Sequence, residues 1–180
     1  MIQGDYRYSP VYLLPENIDT SIRELKLVAF IDSVPLNFMS ESEIWTKNNC
    51  PNCSYTGPVF DNDKSKRILI YLINLSDTAV KIVIQDATVK VIQEAKDSSG
   101  TWMPIEYWVN SSCFNSYSTR SIPSNHYIST TGYRYNDNFM TELRFKMKID
   151  GYTVISNPFY GYINYSQFKK PENPGFKSFF

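Results

Sequence analysis

The sequence predicts an all-β protein: an antiparallel β-sandwich with a less regular segment at its N-terminus. Three observations carry this. FMTELRFKMKI (139–149) alternates strictly, with Phe139, Thr141, Leu143, Phe145, Met147 and Ile149 on one side and Met140, Glu142, Arg144, Lys146 and Lys148 on the other. That is the period of a strand with one buried and one wet face. Short apolar runs recur at intervals of roughly eight to twelve residues with turn residues between them, the rhythm of a sandwich or barrel. Aromatic residues make up 16% of the chain, with Tyr 14 and Phe 11, and such side chains suit pleated, half-buried surfaces.

Taken in order, the first third is the least regular. Ser21-Ile22-Arg23-Glu24 has capping-box spacing, and Ile18, Ile22, Leu25 and Ala29 share one face of a helix. LKLVAFI also alternates and is rich in β-branched and aromatic residues, and a strand is the favoured reading. Pro35, Pro51 and Pro58 interrupt any long element between them. RILIYLIN (67–74) is nearly all apolar, as a central strand covered on both sides would be. After the punctuation of Asn74 to Asp77 come VKIVIQ and ATVKVIQEA. The latter is expected to pair across Ser98-Ser99-Gly100 with TWMPIEYWV. Alternation along that strand would put Trp102, Pro104, Glu106 and Trp108 on one side and Met103, Ile105, Tyr107 and Val109 on the other. SNHYIS opens another strand, and Asn136-Asp137-Asn138 breaks the chain before FMTELRFKMKI. Asp150-Gly151 then forms the strongest hairpin signal, because Asp-Gly readily takes positive φ. YTVIS and FYGYINY follow, with Pro158 as a break. The expected organisation is an N-terminal strand and irregular segment (1–66), a core sandwich (67–166) and an extended tail (167–180) that docks on its own domain or on a partner.

Lys+Arg and Asp+Glu are both 18, giving a formal net charge of +0. A nucleic-acid or anionic-membrane partner would call for a basic excess, so neither is expected. No apolar run is long enough to span a membrane. MIQGDYRYSP lacks the charged start and apolar run of a secretory signal. The polar-aromatic texture nevertheless points to an extracytoplasmic setting: periplasmic, secreted or at the cell surface.

Candidate chemistry is sparse. Cys50, Cys53, Cys113 and His126 supply the ligand types of a Cys3His zinc site. A redox pair at Cys50-Pro51-Asn52-Cys53 would need a helix N-terminus, and none is expected after it. A local disulfide, a bridge from Cys50 or Cys53 to Cys113, or plain loop thiols are the structural alternatives, and no cofactor is the favoured expectation. His126, the single histidine, would have to serve any Ser-His-Asp mechanism; no G-x-S-x-G elbow accompanies it. A sheet histidine explains it more simply. Solvated strand ends account for Glu94, Asp97 and Glu106, and a polar turn for Asp61-Asn62-Asp63. Asn52, Asn74, Asn110 and Asn164 each open an Asn-x-Ser sequon. Candidate binding aromatics are Trp102, Trp108, Tyr133 and Tyr135, joined by Phe179 and Phe180 in the tail.

From Ile68 to Tyr165 the layout resembles immunoglobulin-like β-sandwich domains. The resemblance rests on strand rhythm, on Trp102 early in a mid-chain strand, and on GYRYNDNF before a long strand; the antibody-type Cys…Trp…Cys pattern is absent. It implies a fold and leaves function open. With a well-signalled sheet and no catalytic set, the expected role is a non-enzymatic module that binds a protein, as an accessory or adhesion-type subunit. A carbohydrate-binding module using surface Trp and Tyr, and a zinc or redox domain at Cys50 and Cys53, are the alternatives.

Overall fold

The structure is a computed structural model that describes residues 12–13, 27–32, 67–86, 88–149 and 151–170. Expectations that fall on Cys50, Cys53, Asp61-Asn62-Asp63, Phe179 and Phe180 lie outside the described residues.

Twelve strands are described: β1 (Tyr12–Leu13), β2 (Leu27–Asp32), β3 (Arg67–Asn74), β4 (Val80–Gln85), β5 (Thr88–Val89), β6 (Val91–Lys96), β7 (Trp102–Pro104), β8 (Tyr117–Ile122), β9 (His126–Tyr133), β10 (Phe139–Ile149), β11 (Tyr152–Ile155) and β12 (Phe159–Ile163). They form three antiparallel sheets, ordered β1-β9-β3-β2, β11-β10-β6-β7 with β12 also on β10, and β5-β4-β8. The chain is all-β, as its periodicity predicts. Within LKLVAFI the described residues, from Leu27 on, form a strand, and Arg67–Asn74 is central in its sheet, flanked by β2 and β9.

One core joins the sheets. Ala29 and Ile31 from β2, Ile68, Ile70 and Leu72 from β3, Ile82 and Ile84 from β4, Ile122, Ile128, and Phe145, Met147 and Ile149 from β10 form a single buried cluster. β10 is its spine, with Leu143, Phe145, Met147 and Ile149 inward and Met140 and Lys148 in solvent. A smaller cluster of Ala95, Ile105, Leu143 and Ile163 continues it towards Phe139 and Phe168. The Phe145 ring lies against the backbone of Gly132 on β9, where a Cβ would clash with the ring's Cζ. Any side chain at residue 132 would force that ring to move.

Gly151 has φ +81° in the two-residue connection from Ile149 to Tyr152, as the Asp-Gly signal requires. The Ser98-Ser99-Gly100 turn also closes a hairpin, with Lys96 opposite Trp102. Asp97 Oδ1 organises it by accepting from Ser99 N (2.8 Å), Ser99 Oγ (2.6 Å) and Thr101 N (3.0 Å). These bonds, the Ser99 hydroxyl first, hold the Asp97 carboxyl below its ordinary value.

Other connections cross between sheets. At one of them Asn74, fully buried, donates through Nδ2 to the carbonyls of Thr78 (2.8 Å), Ile122 (2.9 Å) and Pro123 (3.1 Å). Its Oδ1 accepts from Ser76 N (3.0 Å) and Ser76 Oγ (2.6 Å). The end of β3 is thereby tied to the end of β8. A glycan on this sequon is incompatible with the fold, since the amide nitrogen it would use is buried and engaged. Finally, a parallel bridge between Ala29 and Ser156 links β2 to the segment after β11, and Ile31 N donates to Asn157 Oδ1 at 2.9 Å.

Candidate functional site

The hairpin after β6 is shorter than its sequence suggests. β7 ends at Pro104, and residues 105–110 leave the sheet, so the alternation expected along TWMPIEYWV stops there. The hydrogen bonds show why. In the register of this hairpin Ile105 falls opposite Gln93, and Ile105 N donates to Gln93 O at 3.0 Å. The Gln93 N–H does not meet a strand partner in return; it donates to Glu106 Oε2 at 2.9 Å. A side-chain carboxylate has replaced the missing stretch of ladder.

Glu106 is half-buried, and its other oxygen accepts from Tyr135 Oη at 2.7 Å. Burial pushes the Glu106 carboxyl above its ordinary value, and the bonds from Tyr135 and Gln93 act against that rise. Burial first, and then the Glu106 charge, push the Tyr135 hydroxyl up in turn. Tyr135 packs on Tyr133 with ring centroids 5.0 Å apart. Trp108 Nε1 donates to Gln85 Oε1 at 3.0 Å, which fixes the indole's rotation. Val91, Ile92, Ile105, Glu106, Tyr107, Trp108 and Tyr135 line one shallow, open groove of about 450 Å³.

A raised carboxyl gives a signed prediction. Its contribution to stability is complete below the ordinary glutamate value of 4.5 and fades as pH rises through the higher folded value. Glu106→Gln keeps an acceptor for Gln93 N and offers an amide to Tyr135 Oη, yet carries no charge. Its melting temperature should match or exceed wild type at pH 7, and wild type should gain on it as pH falls towards the ordinary glutamate value of 4.5. A gap that does not change with pH would contradict the burial effect.

Trp102 is placed elsewhere. Residues paired across the ladders share a face, so Trp102, Lys96, Glu94, Arg144 and Lys146 all lie on the outer face of the β10 sheet. The Arg144 guanidinium stacks 4.2 Å from the Trp102 ring centre, and Lys96 Nζ lies 5.3 Å from it. Arg144 Nη2 and Lys146 Nζ pair with Glu94 at 2.7 and 3.0 Å, and Lys96 pairs with Glu142. Glu94 is only 4% exposed. The expectation of solvated strand ends is therefore corrected for Glu94 and Glu106, which are covered and engaged. Alternation indicates which face a carboxylate takes; it does not register that an arginine and a lysine from another strand pair with it.

The structure thus gathers Trp108, Tyr135 and, behind it, Tyr133, while Trp102 belongs to a separate charged lattice. Sequence reading passed over Glu106 as a partner of Tyr135; their separation of 29 positions left no local signal. Cys113 is an exposed, free thiol before a 3-10 turn at Phe114–Ser116. His126 is half-buried at the start of β9 and donates from Nδ1 to Ser124 O at 2.7 Å. Among the described residues no group of three or more His, Cys, Asp or Glu is placed to hold a metal ion. No helix among them is long and apolar enough to cross a membrane.

No protein-family model matches the chain, and no curated protein matches it. A solved structure, the X-ray structure of Northeast Structural Genomics Consortium target SoR45, is 18% identical over 52% of this chain and 68% of that one, with a TM-score of 0.32. At that score the likeness carries no argument.

Proposed function

We propose that this chain is a non-enzymatic, immunoglobulin-like interaction module that binds a protein partner through the outer face of β10 and β12, in an extracytoplasmic assembly. One observation supports this above the others. Met140 lies opposite Tyr162, and Glu142 opposite Tyr160, across the β10–β12 ladder. Met140 (60%), Tyr160 (72%) and Tyr162 (47%) stand exposed together, and Ile155 (43%) continues the patch along β11. Tyrosine, methionine and arginine are the side chains that interfaces favour, since they offer contact area at low entropic cost beside charges that set orientation.

Trp102 does not compete for this role, because Arg144 and Lys96 already occupy ring surface that a sugar would need. The immunoglobulin-like arrangement draws support from the connections that cross between sheets, as Greek-key sandwiches require.

A photo-crosslinking residue placed at 160 or 162, in the native host, tests the reading. Both positions should yield the same discrete adduct, and Val83, exposed on a different sheet, should not. Tyr160→Ser with Tyr162→Ser should cut capture at least about tenfold, a loss of roughly 1.4 kcal/mol, while leaving the melting temperature unchanged. Absence of any position-specific adduct, or equal labelling from Val83, would count against it.

A further inference from the structure

The groove beside β6 holds a carboxylate that pairs with no cation among the described residues. Glu106 accepts from two neutral donors, Gln93 N and Tyr135 Oη. The ion pairs among the described residues engage Lys96 with Glu142, and Arg144 and Lys146 with Glu94; none of these cations pairs with Glu106. A carboxylate drawn out of water keeps its charge only at a cost unless an opposite charge joins it. Each of its oxygens has a second lone pair beyond the bond it already accepts.

The surroundings define what would join it. Tyr107, Trp108 and Tyr135 line the same groove, with Ile92 and Ile105 beside them. Aromatic faces are electron-rich and attract cations, most strongly those that shed water easily. The indole N–H is spent on Gln85, so the groove has few free donors with which to read a sugar's hydroxyls. A hard metal ion would need several oxygens, and one carboxylate stands here. An organic cation with an apolar coat matches both the charge and the rings.

We propose that the Glu106 groove binds a quaternary ammonium group, with the carboxylate supplying the charge and Tyr107, Trp108 and Tyr135 the aromatic wall. The site lies away from the β10–β12 surface and does not rest on it. Such a group occurs on small molecules such as choline and on methylated lysine side chains, and the two sources are separable by experiment.

The test titrates the full chain with choline and with N-acetyl-trimethyl-lysine amide, following the Trp108 indole N–H by NMR. The neutral isostere 3,3-dimethylbutan-1-ol and glucose serve as comparisons. Saturable shifts with the two ammonium probes, and a response at least about tenfold weaker from the neutral isostere, are expected. Glu106→Gln, chosen because it retains both hydrogen bonds, should weaken ammonium binding about tenfold while circular dichroism stays unchanged. The tighter of the two ammonium probes indicates the source. No saturable shift up to about 100 mM, equal response to the isostere, preference for glucose, or unchanged affinity in folded Glu106→Gln would each overturn the proposal.

Discussion

Replacing Asn74 by alanine should lower the free energy of unfolding by about 3–4 kcal/mol, seen as an earlier urea midpoint with little change in slope. The size follows from what is stranded. Nδ2 serves three carbonyls and Oδ1 serves the Ser76 amide and hydroxyl. Removing the amide leaves several groups at a buried junction unpaired, and each one costs desolvation without return. Asn74→Asp should be worse at neutral pH, because it replaces an amide whose two hydrogens are shared among three carbonyls with a charge facing those oxygens. Its deficit should shrink in acid as the carboxyl protonates. A loss under about 1 kcal/mol for alanine would mean that water replaces the amide and that the junction is not dry.

The core at Phe145 should answer as strongly. Phe145 is fully buried between β9 and β12, stacked on Phe159 at 5.8 Å. Phe145→Ala should cost about 3–5 kcal/mol through lost burial and the cavity left behind. Gly132→Ala attacks the same contact from the other side, pushing a methyl group into the ring, and should cost about 1–3 kcal/mol. The two should not add. In Gly132→Ala with Phe145→Leu the smaller side chain makes room, and a coupling of about 0.5–3 kcal/mol should appear in the double-mutant cycle. Strict additivity would show that ring and glycine do not touch.

Much of this architecture was readable in the chain because strand periodicity is local. FMTELRFKMKI declares its buried face residue by residue, and Asp150-Gly151 declares its turn. What could not be read is the partner of each polar group. Nothing near Asn74 in sequence says that it meets Ile122 and Pro123. Nothing near Glu94 names Arg144, 50 positions away. TWMPIEYWV looked like one long strand because Pro104 is tolerated at an edge; the departure there depends on Glu106 taking over a backbone bond, a tertiary event. The aromatics are identifiable by type, while their division between a charged cluster at Trp102 and a groove at Trp108 depends on which end of β6 each one reaches, Lys96 for Trp102 and Val91–Ile92 for Trp108.

The seam between Ala29 and Ser156, reinforced by Ile31 and Asn157 across 126 positions, also bears on how the molecule is made. A chain emerging from the ribosome carries its second strand long before the partner for that closing contact exists. Distant pairings of this kind delay the folding transition into the millisecond-to-second range. Until synthesis passes Asn157, the nascent β2 must keep one margin open, and that interval is when a chaperone has most to gain by holding it.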